Sequence, residues 1–219
     1  PFSHLRFSFN TIYVADILFS IWPAIALFAL IVLNKHSNAR KFWWRFGVIL
    51  PFIYLSYCCI NKLKIDHDVK KSFAAQHIPH EKYFTTPAPL QNWLWFVVAG
   101  NDSGYYVGYR SLFDSKLNTA FSYFPKNDSL LKPIADKESI QQLIRFSQGF
   151  YTIEKWNDTL LFNDLRFGQV IGWKDPTEKF VFHYYLQYPD ENEIVVQRGR
   201  FAKWDKEVLK AFWKRIKGN

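Results

Sequence analysis

The chain has 219 residues and a formal net charge of +9, and about half of its residues are hydrophobic. An aromatic fraction of 20% excludes a wholly disordered chain, and two cysteines exclude a disulfide-dense scaffold. The length allows one or two domains. The chain begins with Pro1 and contains no methionine, which predicts a piece of a longer protein.

The first apolar stretch, from Ile12 to Leu33, predicts a membrane-spanning helix. At about 1.5 Å per residue it is long enough to cross the roughly 30 Å hydrocarbon core of a bilayer. Its one charged side chain is Asp16, near its start. A carboxylate inside a membrane helix is a candidate functional group, so Asp16 is a candidate catalytic residue. The alternative is a carboxylate that favours the helix dipole or reaches the interface.

A second apolar stretch, from Phe42 to Ile60, predicts another membrane helix. Its tryptophans and tyrosines suit the interfacial belts of a bilayer. A short polar connection, residues 34–41, joins the two stretches, so residues 1–62 are expected to form an antiparallel transmembrane hairpin in the lipid bilayer.

Basic residues flank the second stretch on both sides, in nearly equal numbers. Counting them by the positive-inside rule favours a cytoplasmic connection between the helices. The expected location is a bacterial inner membrane, with the soluble part in the periplasm.

The remaining chain predicts a helical stalk and linker over residues 63–90 and a soluble α+β domain over residues 91–219. The domain is expected to hold one antiparallel β-sheet and two helices. The predicted strands are Trp93–Ala99, Tyr105–Phe113, Ala120–Phe124, one or two within Leu160–Trp173, Phe180–Gln187 and Ile194–Gln197, the last two forming a hairpin. The predicted helices are Asp136–Gln148 and Lys203–Lys217.

Polar residues interrupt strand-forming sequence at Asn163–Gln169. Asp164 and Arg166 share a face of a strand, so they could pair or hold a polar ligand. Gly168 permits a β-bulge or a close backbone approach. The candidate binding residues are therefore Asp164 and Arg166, and an internal ion pair is the structural alternative.

A second candidate for binding is Arg110, which ends the run Gly104–Arg110 of alternating tyrosines. Such a run could stack on a ring, but core packing explains it more simply. The basic C-terminal helix could attract nucleic acid or anionic lipid headgroups. For a chain already in a membrane the lipid explanation is simpler, so no nucleic-acid partner is favoured.

Histidines and aspartates cluster between Asp66 and His80, and such side chains are common metal ligands. His67 and His77 do not share a helix face, and Pro79 breaks the helix before His80. The cluster therefore predicts a solvated juxtamembrane segment, and no metal ligand is assigned in this chain.

Several segments, taken in order, resemble the C-terminal part of the bacterial inner-membrane metal-dependent hydrolases of the YdjM type. They are Pro1–Ser3, Arg6-Phe7, Asn10–Asp16, Thr86–Trp95, Gly104–Tyr109, Ser111–Asp114 and Asn163–Gly168. The resemblance implies a divalent-metal cofactor whose ligands lie upstream of this chain, with Asp16 at a matching position of unassigned role. The expected function is the C-terminal fragment of such a hydrolase, with no substrate indicated. The alternative is a non-catalytic, membrane-tethered module that binds a lipid headgroup or a protein partner.

Overall fold

The computed structural model describes residues 9–133, 137–186, 201 and 203–218. The chain is α+β, with N-terminal helices followed by two antiparallel sheets and further helices. The described helices are α1 (Ile17–Val32), α2 (Ala39–Ala75), α3 (Lys137–Phe146) and α4 (Lys206–Ile216), with a 3₁₀ turn at Asp128–Leu131. The described strands are β1 (Lys82–Pro87), β2 (Leu94–Gly100), β3 (Gly104–Ser111), β4 (Phe121–Pro125), β5 (Tyr151–Trp156), β6 (Thr159–Gln169) and β7 (Phe180–Tyr185).

Helices α1 and α2 form an antiparallel pair that is tied at both ends. The Tyr54 hydroxyl of α2 donates to Oδ2 of Asp16, at the start of α1, over 2.9 Å. At the other end, Nη1 of Arg40 donates to the carbonyl of Leu30 in the last turn of α1 and to that of Leu33, its C-cap. Between these ties, a Cβ on Gly47 would lie 2.5 Å from the Cβ of Ala26, so the two backbones approach closely.

The structure corrects the start of the first helix. α1 begins at Ile17 and not at Ile12, because Asp16 caps it by accepting a hydrogen bond from the amide of Phe19 over 3.1 Å. With 16 residues, α1 spans about 24 Å. Among the described residues, α2 is the one helix long and apolar enough to cross a membrane.

Helix α2 continues beyond its apolar part and packs on the first sheet. Ile65, Val69 and Phe73 are buried and recur every four residues, so they form one face of the helix. That face contacts Trp95 and Val97 of β2. Residues 63–90, predicted as a stalk and linker, thus contain the end of α2 and strand β1.

The strands form two sheets, so the prediction of one sheet is wrong. Their orders are β1-β2-β3-β4 and β5-β6-β7, and all pairs are antiparallel. β1 is an edge strand, where Pro87 costs no ladder hydrogen bond. A two-residue turn with Asn157 at positive φ joins β5 to β6.

Some predictions fall partly outside the described residues. Asp136, predicted to cap α3, lies there, as do Gln187 and the strand predicted at Ile194–Gln197. Strand β7 pairs with β6, with His183 opposite Asn163.

Strand β2 lies at the centre of the fold, and all its residues are buried. One of its faces meets α2, and the other contributes Phe96 and Val98 to a core that extends to the second sheet and α4. α4 is capped by Asp205, whose carboxylate accepts from the amide of Val208 over 2.7 Å. The end of β6 lies close to the segment that leads into α1.

Candidate ligand-binding cavity

A cavity of about 300 Å³ lies among β1, the end of β6 and the segment that precedes α1. This volume is at the lower end of the range for small-molecule sites. Most of its walls are apolar or aromatic. They include Phe84, Pro87, Phe96, Tyr109, Phe150, Phe167 and Trp173.

The cavity borders the start of the apolar helical pair. Tyr13 and Val14 line it, and α1 begins three residues after Val14. Val14 is 94% exposed, so the cavity reaches the molecular surface at this point. A ligand in the cavity would therefore lie beside the first turn of α1.

Arg166 is the cationic side chain that lines the cavity, and Asp164 fixes its position. Nε of Arg166 lies 3.1 Å from Oδ1 of Asp164, and Nη2 lies 2.7 Å from Oδ2. The backbone amide of Arg166 also donates to Oδ1 over 3.0 Å. Asp164 is fully buried, and a buried carboxylate without a partner would destabilise the fold. The bidentate pair with Arg166 supplies that partner.

Two aromatic rings, which stack on each other, lie next to the guanidinium. Its central carbon lies 4.8 Å from the ring centre of Phe146 and 5.4 Å from that of Phe167. A flat cation held between rings and a carboxylate has little freedom to move. The predicted pairing of Asp164 with Arg166 is confirmed, whereas a role in binding stays a prediction.

A β-bulge shapes this part of β6. The register between β6 and β7 shifts between Asp164 and Gln169. Gly168 within the bulge has φ of 75°, a conformation that favours glycine. The Gln169 amide then donates to the carbonyls of Pro176 and Glu178, which anchors the strand end. The bulge that the sequence analysis expected at Gly168 is present.

The loop between β1 and β2 forms another wall, and the sequence analysis did not identify its anchor. Gln91 is buried, its amide nitrogen donates to the carbonyls of Ala88 and Leu94, and its oxygen accepts from two backbone amides. Leu90 has φ of 66°, which is strained for a branched side chain. One buried amide thus holds a strained loop against the cavity.

Asn92 connects three elements around the cavity. Its Nδ2 donates to the carbonyl of Thr11 over 2.8 Å, and its Oδ1 accepts from Nδ2 of Asn61 on α2 over 2.9 Å. Asn92 is fully buried and Asn61 nearly so. The segment before α1, helix α2 and the β1–β2 loop are therefore held in one arrangement.

The other predicted site residues lie elsewhere. Asp16 was expected inside a helix, but it caps α1 and contacts Tyr54, so both carboxylate oxygens accept structural hydrogen bonds. This supports the structural alternative for Asp16. The nearby Tyr13 and Val14 line the cavity, but Asp16 does not.

Arg110 does not join Asp164 and Arg166. It follows Tyr109 on β3, so it occupies the face opposite to the cavity-lining Tyr109. Its Nη1 donates to the carbonyls of Lys116 and Leu117 over 2.6 and 3.2 Å. Arg110 is absent from the cavity lining, so its role in binding stays a separate prediction.

The aspartates and histidines near the end of α2 are also dispersed. Asp66 contacts Lys62 and the Thr85 hydroxyl, while the His80 ring packs 4.6 Å from that of Phe73. Among the residues that the structure describes, no group of three or more His, Cys, Asp or Glu side chains could hold a metal ion. These residues do not fit the divalent metal implied by the resemblance.

Lys82 and Tyr105 support the cavity wall at Phe150 from behind. Both donate to the carbonyl of Gly149, and Nζ of Lys82 lies 4.5 Å from the ring centre of Phe150. Burial lowers the pKa of Lys82 and raises the pKa of Tyr105 to about 12. The Tyr105 hydroxyl therefore keeps its proton near neutral pH and remains a donor.

Comparison of the chain with protein-family models, curated proteins and solved structures finds no match. The resemblance to the hydrolases thus stays a prediction from the sequence motifs. Four of those motifs contribute residues to the cavity walls: Asn10–Asp16, Thr86–Trp95, Gly104–Tyr109 and Asn163–Gly168.

Proposed function

We propose that this chain is the membrane-anchored, ligand-binding part of a membrane-bound metal-dependent hydrolase. The observation that carries the proposal is the aromatic cavity beside the start of α1, with Arg166 fixed in its wall by Asp164. In this proposal the metal ligands belong to sequence outside the chain. The chain itself contributes the anchor and the surface that positions the substrate.

The exposed apolar surface of α1 and α2 supports the membrane anchor. Only 17% of the most apolar 18-residue stretch of α2 is buried, whereas a core helix of a soluble protein would be mostly buried. Large apolar side chains on both helices are exposed, among them Leu27, Phe28, Ile31, Phe52 and Ile53. Lipid tails would cover this surface, since an uncovered patch of this extent is rare on soluble proteins.

Both helices enter the bilayer in this proposal. The 16-residue α1 is shorter than a typical span, which a thinner local bilayer and the apolar residues before Asp16 can accommodate. Following the distribution of basic residues, the two sheets lie on the periplasmic side of a bacterial inner membrane.

The test compares two forms of the protein in lipid nanodiscs. One is this chain, and the other includes the coding sequence that precedes it in the same reading frame. We expect the longer form to hydrolyse an ester or phosphoester amphiphile, to lose that activity with a chelator and to regain it with Zn²⁺ or Mn²⁺. Stoichiometric binding of either metal by the present chain would contradict the proposal.

The second candidate function is a membrane-tethered binding module without turnover, which the same cavity supports. It predicts a ligand that raises the thermal unfolding temperature while remaining chemically unchanged. Metal-dependent hydrolysis by the longer form would exclude it.

A further inference from the structure

We propose that the cavity binds an amphipathic carboxylate of about ten non-hydrogen atoms, with its head on Arg166 and its apolar body among the aromatic walls. This inference rests on the proposed function, because it names the class of ligand for the same site. It is argued from the unused donors of Arg166, the lack of exposed acceptors on Asp164 and the size of the cavity.

The geometry of the guanidinium leaves one edge for a ligand. A guanidinium has five N–H donors, which form two edges that each match a carboxylate. Asp164 occupies the edge formed by Nε and Nη2. Within the described part of the chain, Nη1 of Arg166 has no hydrogen-bond acceptor. The edge formed by Nη1 and Nη2 can therefore bind a second carboxylate in the same bidentate manner.

The charges of the pair favour a ligand that accepts hydrogen bonds over one that donates them. Asp164 is fully buried, and its two oxygens already accept three hydrogen bonds from Arg166. A cationic ligand would find no free carboxylate on this pair. The pair is also neutral overall, so attraction depends on matched hydrogen bonds, which suits a singly charged carboxylate more than a compact multivalent anion.

The apolar walls and the volume define the rest of the ligand. A water-sized group occupies about 30 Å³, so a cavity of about 300 Å³ holds on the order of ten such groups. Octanoate, with eight carbons and two oxygens, has this size. Aromatic walls such as Phe96, Tyr109 and Phe167 would cover its chain and remove it from water.

Two sources could supply this chemistry. An aliphatic acid released from lipid could enter beside Val14, where the cavity reaches the surface at the start of α1. An aromatic acid of the same length could arrive from water. Octanoate and 3-phenylpropanoate share the carboxylate and the size, so their relative affinities distinguish the two sources.

The experiment measures the retention of isotope-labelled octanoate by nanodiscs that carry the full chain, with empty nanodiscs subtracted. A chelator is present throughout, so binding is tested without any metal or turnover. We expect one saturable site for each chain. Unlabelled octanoate or 3-phenylpropanoate should displace the label, whereas octylammonium, octanol and inorganic phosphate should not.

Three variants test the placement of the head. Arg166→Lys keeps the charge and loses the fork, and we expect at least tenfold weaker binding. Val14→Glu puts a carboxylate at the exposed mouth without disturbing a buried group, and we expect several-fold weaker binding. Lys210→Gln removes an exposed cation on α4, away from the cavity, and should bind like the parent chain.

The outcomes separate this inference from the proposed function. Equal binding by the parent chain and Arg166→Lys would overturn the inference, and so would displacement by phosphate or octanol as effective as by octanoate. If octanoate binds as expected while the longer form shows no hydrolysis, the proposed hydrolase is wrong and the ligand class stands. If the longer form shows hydrolysis but octanoate does not bind, the proposed hydrolase stands and the ligand class is wrong.

Discussion

The guanidinium of Arg166 contacts the buried carboxylate of Asp164 through two nearly parallel hydrogen bonds, of 3.1 and 2.7 Å. The two residues are separated by one position on β6 and thus share a face of the strand. This spacing makes the ion pair local in sequence, and Phe146 of α3 packs against its guanidinium. The cavity wall therefore presents a cation whose position is fixed before any ligand arrives.

The first prediction concerns the asymmetry of this pair. Arg166→Ala leaves a fully buried carboxylate without its cation and should reduce the free energy of unfolding by about 3 kcal/mol or more. Asp164→Asn should cost less, because the Arg166 side chain is 19% exposed and can reach water in the cavity. Chemical denaturation in nanodiscs, followed by near-ultraviolet circular dichroism, measures both. A larger loss for Asp164→Asn would contradict this explanation.

The second prediction tests whether the end of α2 belongs to the folded domain. Ile65→Ala removes a fully buried side chain that packs on the first sheet, and should cost about 2–5 kcal/mol. Ile60→Ala is the matched control, since it makes the same change on the same helix at a residue that is 65% exposed. Equal unfolding midpoints for the two variants would show that this face of α2 does not stabilise the sheet.

The third prediction concerns the buried amide of Asn92. Asn92→Ala removes two side-chain hydrogen bonds. The Thr11 carbonyl loses its donor, and the Asn61 amide keeps only a 3.4 Å hydrogen bond to the backbone carbonyl of residue 92. We expect a loss of about 1–3 kcal/mol in unfolding free energy and weaker octanoate retention, because the segment before α1 is released from the cavity wall. Gln141→Ala, on the exposed face of α3, should change neither measurement.

The fourth prediction is a pH dependence that arises from His183. Burial, with a smaller contribution from Lys179, lowers the pKa of His183 below its usual value near 6.5. Below pH 6.5 His183 binds a proton in the unfolded chain. In the folded chain it binds that proton only at a lower pH, near its lowered pKa. Stability should therefore be highest above pH 6.5 and decline as the pH falls through this window.

His183→Gln checks this prediction. The variant should show a shallower decline in unfolding midpoint between pH 6.5 and pH 5 than the parent chain does. The measurement is a series of denaturant titrations at constant ionic strength. Identical slopes for the two proteins would remove His183 as the cause.

The sequence predicted those parts of the fold that have strong local signals. An apolar run marked β2, and the turn residues 100–104 after it marked β3 as its hairpin partner. Asn163–Gln169 indicated both the ion pair and the bulge. The sequence analysis missed β1, because Thr86-Pro87-Ala88-Pro89 is typical of a linker and proline is tolerated only at a sheet edge. It also missed β5, although Asn157-Asp158 after an alternating strand is a recognisable hairpin signal.

The cavity could not be predicted from the sequence, because tertiary packing brings its walls together. Tyr13, Phe96 and Arg166 are far apart in the chain, and no local pattern connects them. The loop anchor Gln91 was equally hidden, since its role depends on burial. Arg110 shows what a local pattern can give: strand alternation alone places it on the face of β3 opposite to Tyr109.

The membrane placement of α2 underlies the proposed anchor, and thiol labelling tests it most directly. In a chain with Cys58→Ala and Cys59→Ala, single cysteines are introduced by Ile53→Cys and by Lys71→Cys, both at exposed positions of α2. In nanodiscs, a membrane-impermeant maleimide should label the Lys71→Cys variant rapidly and the Ile53→Cys variant only after solubilisation in sodium dodecyl sulfate. Equally rapid labelling of both variants in nanodiscs would contradict the account.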